Sequence, residues 1–147
     1  MIVYLDASAL VKCYVSETGS ASVSALITQA AAIGTSVISR AEVAAALSKA
    51  VRLKVLSRDE GASAIQSFNA EWESLIRLQM TESIASRAAV LAWDHGLRGY
   101  DTVHLACSLF WREILGEPVT LAAFDKQLRL GARQNGLTVW PDNLVER

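Results

Sequence analysis

Five short runs of strand character recur along this chain, at residues 2–5, 33–38, 76–80, 119–124 and 137–140, and longer stretches of helical composition separate them. Helices are expected over 8–15, 21–32, 39–54, 57–75, 81–93, 101–115 and 126–135. Strands that alternate with helices pair in parallel, because parallel neighbours need long crossover connections and helices supply them. The expected fold class is therefore α/β, a central parallel sheet between helical layers. A chain of 147 residues suits one domain and can bury a core without staples, so residues 1–147 are expected to form a single domain. Gly34 weakens the second strand, and Gly136 reads as the residue that closes helix 126–135.

The composition excludes several classes. With 52% apolar and 20% charged residues the chain is folded rather than disordered. Fourteen basic residues against fifteen acidic ones give a net charge of -1, so nucleic-acid binding would have to rest on a local patch. Cys13 and Cys107 stand in apolar, helix-like stretches without CxxC or Cys/His spacing, and buried reduced thiols are expected. The first apolar run is interrupted by Asp6, no basic segment precedes it, and no stretch is apolar enough to span a bilayer. A soluble cytoplasmic protein is expected.

Isolated acids fall at chain junctions. Asp6 follows the first strand, Glu42 lies in the first turn of the helix after the second, and Asp125 follows the "VTLAAF" strand. In a parallel sheet the strands' C-terminal ends share one edge, and ligand sites form in the crevice outside it. These three acids should converge there. Asp101 follows a glycine-bounded turn, "HGLRGYD", and periodicity does not fix its place. Each acid also has a structural reading. Ser39-x-x-Glu42 is a capping-box pattern, Asp101 and Asp125 are well placed as N-caps, and Asp6 or Ser8 can cap the first helix. Carboxylates gathered together repel and raise one another's pKa. A hard divalent cation such as Mg²⁺ or Mn²⁺ relieves that, and such a site suits phosphoryl chemistry.

Four segments, "VYLDASALVKCYV", "SRAEVAAALSKA", "LRGYDTVHLACS" and "VTLAAFDKQL", occur in that order over almost the whole chain. Together they resemble the PIN-domain ribonucleases, most closely the VapC-type toxins of bacterial type II toxin–antitoxin systems. The resemblance implies an α/β/α sandwich and an endoribonuclease that uses Mg²⁺, or Mn²⁺ in its place, to hydrolyse RNA. It implies Asp6, Glu42 and Asp101 as an acidic triad and Asp125 as a fourth acid, with Asp6 and Asp101 as direct metal ligands and the Ser8 hydroxyl lining the site. It also implies a cognate antitoxin and a homodimer. One departure stands out: many family members carry Thr or Ser two residues before the fourth acid, where this chain has Ala123.

Other residues invite functional readings. Lys126, Arg129 and Arg133 fall on one helix face beside Asp125, which reads equally as a guide for RNA phosphates or as a solvated face. Arg98 reads as a phosphate contact or as a counter-charge to the acids, and Lys12 and Arg40 invite the same reading more weakly. His104 can be read as a metal ligand or general base but is expected to be structural or a support for the acids, and His95 reads as a helix C-terminal cap. Trp72, Trp93, Trp111 and Trp140 are expected in the core or at an interface rather than as platforms for stacked bases. Ile65, Phe68 and Trp72 are candidates for a groove that takes a partner peptide. Two competing functions are a catalytically silent PIN module and a haloacid-dehalogenase-type phosphotransferase. The second needs an Asp two residues after Asp6, where this chain has Ser8.

Overall fold

The computed structural model describes residues 1–144. In chain order the elements are β1 (Ile2–Leu5), α1 (Ala7–Val11), α2 (Ser20–Gln29), β2 (Ala32–Ser36), α3 (Ser39–Arg52), α4 (Arg58–Glu71), β3 (Ile76–Leu78), α5 (Glu82–His95), α6 (Gly99–Leu115), β4 (Val119–Ala122), α7 (Lys126–Gln134) and β5 (Thr138–Trp140). The strands form one sheet in the order β3-β2-β1-β4-β5, and every pairing is parallel. The chain builds outward from β1 to β3, then returns to the other side of β1 for β4 and β5. The strand order reverses between β1 and β4, and in such sheets the crevice at the reversal is the ligand site.

Side-chain alternation along the central strands divides the interior in two. Val3 and Leu5 of β1, with Ala122 of β4, join residues of α1, α2, α3 and α4 in one core cluster. Tyr4, Val119 and Leu121 point the other way and pack with residues of α5, α6 and α7. Helices cover both faces, so the expected α/β/α layering is present. A strand buried on both faces needs apolar residues at every position, which is why "IVYL" reads as a continuous run rather than an alternation.

Element ends depart from expectation in instructive ways. Helix α1 stops at Val11, and the chain turns there so that Val15 enters the core. Strand β4 stops at Ala122, before Asp125 starts the next helix. Ser57 caps α4 through a full capping box with Glu60. His95 does not cap its own helix. Gly96, with φ 64°, ends α5, and the His95 ring bonds Gln134 and Asn135 at 3.0 Å each, tying α5 to the end of α7. Trp72 and Trp111 are core residues and Trp140 is half-buried, but Trp93 is 91% exposed. Phe68 and Trp72 are too deeply buried to line a groove for a partner. Cys107 is buried and Cys13 half-buried, and neither forms a disulfide; burial pushes the Cys13 thiol up to about 11.

Gly34 has a packing reason. A Cβ there would lie 2.8 Å from two ring carbons of Trp111, so the indole of α6 rests directly on the β2 backbone. Gly34→Ala is expected to cost about 1–3 kcal/mol through overpacking, measured as a lower urea midpoint at unchanged slope. Wild-type stability would show that Trp111 yields freely.

Candidate active site

The acidic residues gather outside the C-terminal edge of β1 and β4. Asp6 leaves β1 directly. Its backbone N–H continues the ladder to Ala122 O at 3.2 Å, which fixes it against β4. Its Oδ1 accepts from Ala9 N at 2.9 Å and from the Ser8 hydroxyl at 2.7 Å. Asp6 is therefore the N-cap of α1, and Ser8 is not: the Ser8 hydroxyl is spent on orienting the carboxylate. The preceding carbonyl, Leu5 O, accepts from Thr35 Oγ1 at 2.7 Å, and Thr35 Oγ1 also pairs with Ser39 Oγ at 2.7 Å. This fully buried pair holds the β1 terminus against β2.

Ser39 consequently forms no capping box with Glu42. Ile38 takes the N-cap position of α3, and the Glu42 side chain reaches across to His104, with Oε1 and Nε2 2.7 Å apart. The other ring nitrogen, Nδ1, lies 2.7 Å from the Tyr4 hydroxyl. A carboxylate only accepts, so Nε2–H donates to Glu42. A neutral imidazole then accepts the Tyr4 proton at Nδ1. Burial pushes the Tyr4 pKa well above its ordinary value, and nearby Cys107, Asp6 and Glu42 raise it further, so the phenol keeps that proton. His104, itself 1% exposed, is a positioning residue for Glu42.

Asp101 does not open α6. The helix starts at Gly99, after Arg98 as N-cap, and Asp101 stands in its first turn. His104 follows it on the same helix. Asp125 is the N-cap of α7, with Oδ1 accepting from Leu128 N at 2.9 Å. Arg98 bridges the two acids: its Nε lies 3.1 Å from Asp101 Oδ2, and its terminal nitrogen 3.3 Å from Asp125 Oδ2. Of the two earlier readings for Arg98, the structure supports the counter-charge. The guanidinium is 77% exposed, so the bridge is a weak surface pair that water and salt compete with.

The charges act on one another. Burial raises the Asp6 pKa, opposed by His104 and by the bonds from Ala9 and Ser8, while Asp101 adds to the rise. Burial likewise raises Asp101, opposed by Arg98, with Asp125 adding to the rise. Three aspartates and Glu42 thus share one field in which two cationic or donor groups, Arg98 and His104, offset the repulsion.

The basic stripe breaks up. Arg129 is buried at 3% exposure, and its guanidinium donates to Ala123 O, Pro141 O and Asp142 O. It pins the segment after β5 to the end of β4 and is not free to meet a phosphate. Arg133 is exposed but donates to Asp142 O at 2.6 Å, and Lys126 is exposed beside Asp125. Lys12 donates to Glu17 Oε1 and Thr18 O. Arg40 lies over Trp72. Ala123 is fully buried in the core, so the family's hydroxyl position here is occupied by packing.

The donor set consists of hard carboxylate oxygens, and a guanidinium already sits between two of them, so the chemistry fits a divalent cation. Among the described residues no group of three or more His, Cys, Asp or Glu side chains is arranged to hold a metal as it stands. Arg98 occupies that role between Asp101 and Asp125.

Fold and site together define an α/β/α domain whose acidic centre lies at the strand-order reversal. The family model for the PIN domain matches residues 3–132, and the chain belongs to the PIN-domain family. It is 38% identical over 144 residues to two curated relatives from Mycobacterium tuberculosis, Ribonuclease VapC45 of strain CDC 1551 / Oshkosh and Ribonuclease VapC49 of strain ATCC 25618 / H37Rv, with 97% of each chain covered. Its fold is similar to that of a toxin–antitoxin complex from Klebsiella pneumoniae, at a TM-score of 0.69 and 15% identity over 97% of this chain and 99% of that one.

Asp6→Asn keeps both acceptor bonds of the cap and removes a buried charge. The raised pKa means that the ionised form carries a cost in the folded state. That cost is present above the folded pKa and vanishes once pH falls below the ordinary carboxylate value. The variant is therefore expected to melt a few degrees higher than wild type at pH 8, with the gap closing toward pH 4. Equal or lower melting at pH 8 would contradict this account of Asp6.

Proposed function

We propose that this protein is a divalent-metal-dependent endoribonuclease, the toxin of a toxin–antitoxin pair. The observation that carries the reading is the gathering of Asp6, Asp101, Asp125 and Glu42 at the sheet edge where the strand order reverses between β1 and β4. Identity to two ribonucleases over nearly the full chain supports it. Asp6 and Asp101 would hold the cation, with Asp125 and Glu42 completing the site. When bound, Mg²⁺ or Mn²⁺ supplies an activated water and neutralises charge on the phosphate. Ser8 and the Ala9 N–H keep the Asp6 carboxylate turned in one direction. The Tyr4–His104 relay holds Glu42, which is placed to accept a proton. Arg98, released from its two acids, is a guanidinium next to the incoming phosphate, and Lys126 adds an exposed positive charge.

The likeness to a toxin–antitoxin complex supports a protein partner. Among the described residues no helix is long and apolar enough to cross a membrane, which accords with action in the cytoplasm. The apolar residues left exposed on the packed pair α5 and α6, including Val90, Trp93, Phe110 and Ile114, support a homodimer.

Protein freed of any partner is expected to cut RNA with Mn²⁺ or Mg²⁺ and not with EDTA. Asp101→Asn should reduce the rate by about 100-fold or more. Cleavage in EDTA, or by that variant at the wild-type rate, would exclude the mechanism. Absence of cleavage under every condition would favour the silent module. Trp93→Glu is expected to shift the mass measured by light scattering from dimer to monomer, and an unchanged mass would place any dimer contact elsewhere.

A further inference from the structure

At the start of α7 lies a cavity of about 620 Å³, lined by residues that include Lys12, Gly19, Phe124, Lys126 and Trp140. That volume is within the range of about 300–1,000 Å³ usual for small-molecule sites. Phe124 and Lys126 are the two chain neighbours of Asp125, so the cavity flanks the start of α7, and the four acids themselves lie outside its lining. The Phe124 and Trp140 rings stand at 85° with centroids 6.0 Å apart. Lys12 Nζ lies 4.5 Å from the Phe124 centroid, held there by Glu17 and Thr18 O. Gly19 closes the wall at φ +94°, and a Cβ there would stand 3.3 Å from both Phe124 and Lys12. Gly19 therefore packs directly on the Phe124 ring and the Lys12 stem, in a backbone conformation that favours glycine. Thr18, Ser22 and Asn143 add hydrogen-bonding groups at its rim.

We propose that this cavity is a subsite for one unpaired RNA nucleotide flanking the scissile phosphate, with its base against Phe124 and Trp140 and its phosphate near Lys126. The inference rests on the ribonuclease reading above. A nucleotide combines a flat aromatic face, polar edges and an anion, and the cavity offers an aromatic wall, rim hydroxyls and an amide, and the exposed ammonium of Lys126. Bases in a duplex keep their faces stacked and their edges paired, so only a single-stranded or looped nucleotide can enter. Its place next to Asp125 means that an inserted base would anchor the strand beside the acids, so the cavity would select where cleavage occurs.

The test uses partner-free protein in EDTA and a fluorescently labelled RNA pentamer, with an abasic residue placed at each position in turn. Anisotropy is expected to show one position at which loss of the base weakens binding about fivefold or more. Ser22→Trp, an exposed rim position on the first turn of α2, should fill the cavity and abolish that dependence while circular dichroism remains native. Thr18→Phe, on the adjoining loop, serves where Ser22→Trp does not fold. Binding that changes less than twofold at every position overturns the subsite, as does base dependence that survives in a folded rim variant. A rim variant that keeps base dependence but loses its cognate antitoxin would assign the cavity to that protein instead. Cleavage of RNA with Mn²⁺, measured in parallel, separates the two readings. Cleavage with base-independent binding removes the subsite and leaves the ribonuclease, while no cleavage removes the ribonuclease itself.

Discussion

The parallel pairing of β1 with β4 is the constraint on which the rest of the molecule depends. These strands are neighbours in space, with Leu5 opposite Ala122, but more than a hundred residues apart in sequence. Their helical connections leave in opposite directions, opening a crevice outside their C-terminal ends. Asp6 and Asp125 follow the two strands and stand on either side of that crevice. Glu42 and Asp101 arrive from α3 and α6, one from each layer. A slip of one residue in β1 would send Val3 and Leu5 to the wrong core and turn Asp6 away. The two apolar clusters that hold the register therefore also aim the carboxylates.

Gathering acids costs stability, and the structure shows how the cost is limited. Asp6, the most buried of the four, receives an amide N–H and a hydroxyl. Asp101 and Asp125 share one arginine, and Glu42 has a histidine whose other nitrogen is tied to a tyrosine. The supports differ in permanence. The Tyr4–His104 contact is wholly buried, so Glu42 is held by a rigid device. Arg98 is mostly in solvent, and its two contacts are readily exchanged for another cation or for a phosphate. A site that must admit ligands keeps its removable counter-charge at the surface and its fixed ones inside.

The sequence made the frame and the acids legible because both follow from periodic rules. Alternating strands and helices specify a parallel sheet, and the sheet edge then specifies where Asp6, Glu42 and Asp125 go. What it concealed are contacts between residues far apart in sequence. Nothing in "DTVHLACS" says that His104 lies between Tyr4 and Glu42, and nothing in the i, i+3, i+7 spacing of Lys126, Arg129 and Arg133 says that the middle one turns inward to bond carbonyls. The Ser39-x-x-Glu42 pattern pointed to a local capping box, but Thr35 claims the serine and His104 the glutamate. Local propensity was overruled where a buried partner offered a stronger bond. For Trp93 core and interface both stay open in the sequence, because helical position alone does not say which face of α5 meets the core, and its exposure excludes the core.

Capping and chemistry are compatible roles for the same acids. The oxygen atoms separate them. In Asp6 both local bonds fall on Oδ1, and in Asp125 the helix amide binds Oδ1 while Oδ2 faces Arg98. One oxygen of each carboxylate begins a helix, and the cap leaves the other outside its bonding. The cap fixes the plane of the group against the helix end, and that fixed plane is what a site needs from an acid that must not swing. An aspartate at a strand-to-helix junction is thus at once a good cap and a preorganised donor, and the local signal that argued for a structural role is part of the reason the residue can serve a functional one.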